Sequence, residues 1–345
     1  MNLDADRHAG LLAAKLGALV RERWGVSAIK PSAFPGGAAA SVSGRAWVLL
    51  EGDATRRLGA ALAWAAKAGA EEVHVLVDDA AAAGVLARRA SAFARPPVVH
   101  QIRGRTLAVA APAAPPELAV PAPQAELYRP VLSDAGLDVI VEHGQLIGEL
   151  RGLEVARVVL TFDGSARVDA GVGRFDQEAS SMMFADLSET DAVIRAASIV
   201  GGYRRPGASR HPLNQLVPER WLRWLVVQQP ELVGAKVLAP VESVLARRNL
   251  NERSVATALG IDLDGNPVVV TCSTGVDLEL VPAAADDRLA HAPDARLVLA
   301  VPSRDALPTT TALAGQLLAP AEVVTVDNDW KSASPTLARS QRERS

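Results

Sequence analysis

Residues 138–173 read DVIVEHGQLIGELRGLEVARVVLTFDGSARVDAGVG, and the fold of the middle of the chain turns on how this stretch is divided. His143-Gly144 separates the alternating run 138–142 from a second apolar run that begins at Gln145. Asp163-Gly164 lies between the runs 153–162 and 165–173. An Asp-Gly pair between alternating runs is a strong hairpin signal, because glycine accepts the positive φ that a tight turn needs. If each pair is a two-residue loop, register follows by counting back from it. Glu142 then faces Gln145, Val139 faces Gly148 and Asp138 faces Glu149. From the second turn, Phe162 faces Ser165, Val158 faces Asp169 and Glu154 faces Gly173. The pattern predicts strands followed by a helix over 174–184, with Met182 and Met183 as core filler.

Directly opposed residues bring their Cβ atoms to about 4.5–5.5 Å, and like charges at that distance repel. Asp138 and Glu149 are therefore the carboxylate pair that local geometry brings together. Such a pair can hold a divalent cation or share a proton. The plainer reading is a solvated sheet face on which Arg151, two residues along from Glu149, screens the repulsion. In the counted register Glu154 and Asp169 share a face but lie roughly 13 Å apart, too far for one ion.

The rest of the chain reads as α/β units on either side. Leu11, Leu12, Leu16, Leu19 and Val20 recur at helical spacing and predict a helix over 5–24. The small residues and prolines of 31–45 read as a flexible loop. A strand over 46–50, a helix capped by Asp53, a strand over 72–77, a helix capped by Asp79 and a run over 98–110 turning at Gly104 follow. Strand and helix alternate as in a Rossmann-like parallel sheet. The first strand-to-helix loop lacks the repeated glycines of a pyrophosphate site, and no Gly-Lys-Ser/Thr phosphate loop occurs. The expected organisation is a Rossmann-like α/β domain over 1–110, a proline-rich linker over 111–123, and a central domain of hairpins and helices over 124–240. A C-terminal α/β domain over 241–330 and a polar tail over 331–345 complete it. Within the C-terminal domain, Asp264-Gly265 marks another hairpin, 276–280 alternates as a half-exposed strand, and helices over 283–290 and 309–318 separate strands over 297–301 and 322–326.

Composition bounds the chemistry. A chain of 345 residues with 49% apolar content and a formal charge of −3 can bury two or three cores and carries no overall electrostatic footprint. No run of 18 apolar residues occurs, and residues 1–24 carry Asp4, Asp6, Arg7, Lys15 and Arg21, so the expectation is a soluble, cytoplasmic protein without a signal peptide or membrane span. The single Cys272 allows no internal disulfide and no cysteine zinc site, and ends an apolar strand as a small buried side chain. His8, His74, His100, His143, His211 and His291 are scattered and form no two-histidine helical metal motif. Arginine outnumbers lysine 31 to 5, and no lysine occurs between Lys67 and Lys236.

Residues 201–224 are the most basic segment: Arg204, Arg205, Arg210, Arg220 and Arg223 are opposed only by Glu219, with Tyr203, Trp221 and Trp224 interleaved. Arginine with aromatics suits a nucleic-acid groove, through phosphate contacts and base stacking. The plainer reading is a helix whose Trp221 and Trp224, three residues apart, face a core.

The central order of helix, three strands and helix, with acids on the strands, resembles the nuclease core known by its Pro-Asp…Asp/Glu-x-Lys motif. Over about 60 residues the resemblance implies a Mg2+ site held by Asp169 with Glu149 or Glu154. The motif's lysine is absent, since Glu154-Val155-Ala156-Arg157 places no basic residue two after the acid. The resemblance thus implies a metal-dependent or degenerate nuclease-like, nucleic-acid-associated protein. The alternative is a non-catalytic ligand-sensing or protein-interaction scaffold.

Overall fold

A computed structural model describes residues 3–172, 187–208 and 211–333. The helix expected over 174–184, Met182, Met183, Gly173, Arg210 and the tail beyond 333 lie outside the described residues. The chain is a multi-domain α/β protein with three sheets, and it divides into two compact units.

The first unit comprises Met1–Pro116, Val276–Ala290 and Ala306–Val323. Its sheet runs in chain order: β1 (Ser32–Phe34), β2 (Gly37–Val42), β3 (Arg45–Leu50), β4 (Glu72–Val77), β5 (Val98–Arg103) and β6 (Thr106–Val109). The three middle strands, β3 to β5, are parallel, and β2 and β6 flank them antiparallel. Helices α2 (Leu58–Lys67) and α3 (Ala80–Ala90) make the crossovers between the parallel strands. Consecutive residues of β3 and β4 are buried, as a parallel sheet covered on both faces requires. On one face α1 (Leu3–Trp24) sets Leu12, Leu16, Leu19 and Val20 against Trp47, Leu49, Leu76 and Ile102. Each such side chain withdrawn from water contributes about 1.5–3 kcal/mol.

Asp79 caps α3 as expected, accepting from Ala82 N at 2.6 Å. Asp53 does not cap α2, because a 3-10 turn over Ala54–Arg56 intervenes and α2 begins without a side-chain cap. The expected loop 31–45 instead contains β1 and β2. Ala38, Ala39 and Ala40 are buried there, so pairing with β3 overrides the low strand propensity of alanine.

Two distant segments complete this unit, α8 (Leu280–His291) and α9 (Pro308–Gly315). Asp286 of α8 takes Arg88 Nε and Nη2 at 2.7 and 2.8 Å and Arg89 Nε at 2.9 Å. Glu279 accepts from Gly59 N at 2.8 Å. A Cβ on Gly59 would lie 1.7 Å from Leu278 O, so α2 meets this segment backbone to backbone. After α9, Leu318 N donates to Ala92 O at 2.8 Å. Residues 276–280 do not form the expected strand: Asp277 Oδ1 accepts from Glu279 N at 3.0 Å, and the turn leads straight into α8.

The second unit comprises Glu117–Gly275, His291–Asp305 and Val324–Ser345. Its first sheet is an antiparallel meander of β7 (Asp138–Glu142), β8 (Gln145–Leu150), β9 (Leu153–Leu160) and β10 (Ala166–Ala170). Residues 123–134 form two short helices, α4 (Pro123–Glu126) and α5 (Arg129–Asp134), with Pro130 in the first turn of the second, where its missing N–H costs nothing. Ser188 caps α6 (Glu189–Tyr203), accepting from Asp191 N at 3.1 Å. Leu132, Leu146, Val155, Val193 and Val200 form the core on this side of the meander.

The second sheet has the order β11 (Ala235–Val241), β12 (Ala256–Asp262), β13 (Pro267–Cys272), β14 (Arg296–Pro302), β15 (Glu322–Val326). The hairpin around Asp264-Gly265 joins β12 to β13, and β13 runs parallel to β14. Helix α7 (Pro218–Gln228) sets Trp221, Leu222, Leu225 and Val226 into a core with Leu238, Ala258, Val268 and Val298 of this sheet. Among the described residues no helix is long and apolar enough to cross a membrane.

Candidate functional site

The register of the meander decides where its acids go. Around His143-Gly144 the pairing is as counted: Asp138 opposes Glu149, Val139 opposes Gly148 and Glu142 opposes Gln145. The turn at Asp163-Gly164 is longer than two residues. Thr161 N donates to Ser165 O at 2.9 Å, which closes a five-residue connection over 161–165. This shifts the pairing by one, so Asp169 opposes Arg157 and Val168 opposes Val158. Between β8 and β9 a bulge after Gly148 places Glu149 opposite Glu154. Asp138, Glu149 and Glu154 thus lie in one row across three strands, with Asp169 outside it.

Three carboxylates in a row on a buried surface require positive charge, and α7 supplies most of it. Arg220 Nη1 donates to Glu149 Oε1 at 2.8 Å, and its Nη2 donates to Glu142. Arg223, one turn on, donates Nη2 to the other oxygen of Glu149. Glu149, Arg220 and Arg223 are all buried. Glu154 is held bidentately by Arg157, with Nε and Nη2 at 2.7 Å from its two oxygens. Beside this group Glu219 pairs with Arg247, and Glu242 accepts from His143 N at 2.6 Å. Helix α7 therefore carries an apolar face toward one sheet and a cationic face toward the other. Gly152, at φ +76°, lets them approach: a Cβ there would stand 2.3 Å from the backbone of Arg220.

The electrostatics follow the pairing. Burial alone would push the Glu149 carboxyl up, but Arg223 and Arg220 hold it below the usual carboxylate range. Asp138 has only the charge of Arg223 to oppose its burial, and that pull is the weaker. Burial, then the charge of Glu149 opposite, push it up to about 6. The pair divides accordingly: Glu149 is ionised between two guanidinium groups, and Asp138 keeps its proton into the mildly acidic range. Burial pushes the Glu219 carboxyl up and the Cys272 thiol up to about 12.

This arrangement corrects two expectations about what the charged residues do. Arg151 does not screen Glu149; it donates to Arg204 O at 2.5 Å and lies over the Trp224 ring at 5.3 Å. Glu149 and Glu154 face guanidinium groups where the resemblance implied a metal. Asp169 binds Arg167 Nε at 3.0 Å, and the residue opposite it, Arg157, is turned to Glu154. Among the described residues no group of three or more His, Cys, Asp or Glu side chains is placed to hold a metal ion.

The arginines expected at a nucleic-acid groove are mostly interior. Arg204 is fully buried: its Nε donates to Arg151 O at 2.9 Å and its Nη1 to Leu213 O and Leu216 O at 2.9 and 3.0 Å, over the Trp221 ring at 4.6 Å. Burial pushes its guanidinium down to about 9. Arg220 and Arg223 are consumed by Glu142 and Glu149, and a guanidinium held inside a core cannot reach a phosphate. Only Arg205 of the set is exposed among the described residues, and it donates to Gly202 O at 3.2 Å.

Glu242 and Arg247 belong to the network and were not singled out by sequence reasoning, which named Glu142, Arg157 and Glu219 without their partners. The i, i+3 spacing of Arg220 and Arg223, matched against the acids of 138–154, was the signal available. No family model, no curated protein and no solved structure matches this chain.

Proposed function

We propose that the protein is a non-catalytic scaffold that acts through contacts with other proteins. The observation that carries this reading is the internal compensation of the second unit. The carboxylates Glu142, Glu149 and Glu154 are each bound by Arg157, Arg220 or Arg223, so neither a metal nor a phosphate backbone finds an open partner there. Contact with a protein is further favoured by the turn 161–165. Phe162 stands fully exposed next to the exposed Leu160, while Asp163 Oδ1 accepts from Ser165 N and Oγ at 3.0 and 2.8 Å and holds the tip in shape.

The test is a melting curve of the full chain with Mg2+, Mn2+ and nucleotides, alongside incubation with DNA and RNA. A ligand that binds only the folded state raises its melting temperature. The expected results are an unchanged melting temperature, intact nucleic acid, and retention on heparin that Arg205→Ala leaves unaltered. Divalent-ion stabilisation abolished by Asp169→Ala or Asp138→Asn, or cleavage of either nucleic acid, would replace the scaffold with the metal-dependent nuclease.

A further inference from the structure

In the first unit His74 of β4 and His100 of β5 lie on the face covered by α1. The pairing sets Leu76 opposite His100, so the two imidazoles are diagonal neighbours on adjacent parallel strands. His74 Nδ1 and His100 Nε2 are 3.2 Å apart, and both residues are buried, at 4% and 3% exposure. One of these two nitrogens must be a hydrogen donor and the other an acceptor, so the contact tolerates at most one imidazolium. The rings are closed in by Trp24, the last residue of α1, whose ring centroid lies 4.7 Å from His74 and 5.3 Å from His100. Trp47 stacks on His74 from β3 at 5.9 Å.

The charged groups facing the pair are unequal. From β4, Glu72 Oε1 lies 3.0 Å from His74 Nε2 and favours a first proton on that ring. Against protonation stand Arg45 of β3, which acts on His74 and sits over the Trp47 ring, and Arg23 of α1, which acts on His100. His100 Nδ1 is buried without a hydrogen-bond partner, so a second proton placed there would face no acceptor.

We propose that the His74–His100 pair is an acid-operated latch for α1: double protonation breaks the contact between the rings and releases Trp24 and the helix that carries it from the sheet. Burial, then the neighbouring His74 and Arg23, hold His100 down to about 4, while burial lowers His74 despite Glu72. A ring that titrates lower on the sheet than in water leaves the closed state unaffected above the ordinary histidine value of about 6.5. Between about 6.5 and 4 the released state alone takes up the proton, which favours release by on the order of a hundredfold at the lower end.

The experiment is hydrogen exchange of the full chain, read by mass spectrometry between pH 7.5 and 4 and corrected for the intrinsic rate. Peptides from α1 are expected to lose protection between pH 6 and 4 while those from α2 and α3 keep theirs, and His100→Phe or His100→Gln is expected to hold α1 closed to pH 4. Either variant suffices should the other fail to fold. Protection of α1 persisting to pH 4, simultaneous loss across α1, α2 and α3, or an unchanged transition in both variants would overturn the latch.

Discussion

Arg204 and Arg205 are adjacent in the chain and opposite in consequence. Arg204 is enclosed and donates to backbone carbonyls of Arg151, Leu213 and Leu216, whereas Arg205 reaches solvent. Arg204→Ala orphans those carbonyls and opens a cavity beneath Trp221, so a loss of about 3 kcal/mol or more is expected in urea unfolding, against less than about 0.5 kcal/mol for Arg205→Ala. Glu149→Gln leaves Arg220 and Arg223 buried without a full counter-charge and is expected to cost about 3–5 kcal/mol. Asp138→Asn should act in the other direction, with a defined pH dependence. A carboxyl raised to about 6 binds its proton more tightly when folded. Its contribution is therefore complete below the unfolded value of about 4 and disappears as pH rises through 6. Allowing for the partial exposure of Asp138, the asparagine variant is expected to be more stable than the parent by on the order of 2 kcal/mol at pH 8 and equal to it at pH 4. These environments were not legible in the sequence, where arginines in a basic run look alike; the acids that hold Arg220 and Arg223 lie 71 to 78 residues away.

Elements were legible where local chemistry alone fixes them. The two-residue turn at His143-Gly144 dictates its register, and Asp79 three residues before Ala82 dictates a helix start. The turn at Asp163-Gly164 carries the same signal, but the hydroxyls of Thr161 and Ser165 close a wider loop around Asp163 and displace every pair above it by one residue. Alternation also misled at 276–280, where an Asp277 side chain bonded to Glu279 N starts a turn. The contact between α7 and the β8–β9 hairpin is the element-level joint of the network. Gly152→Ala would add a methyl 2.3 Å from the Arg220 carbonyl in a positive-φ conformation. A loss of about 2–4 kcal/mol is expected, read as a lower midpoint in thermal unfolding.

At the scale of the molecule, the three-sheet α/β class was readable from alternating strand and helix patterns, while the allegiance of each helix was not. Nothing in 276–323 announces that α8 and α9 group with the N-terminal sheet, because an apolar helical face does not specify which sheet it covers. Long-range charge pairing does specify it, through Asp286 with Arg88 and Arg89. A chain of residues 1–116 alone retains the buried Arg89 and the half-buried Arg88 without this acid, and is expected to show no cooperative melting transition by circular dichroism.

That pairing also sets an order of events during synthesis. Arg89 and Asp286 are separated by 197 residues. At about 5–20 residues per second, roughly 10–40 s pass on the ribosome between the appearance of one and of the other. Throughout that interval the nascent N-terminal sheet stands with two cations awaiting their counter-ion and with the backbone seat at Gly59 vacant. Its final closure waits for Asp286, although its strands are made well before that residue.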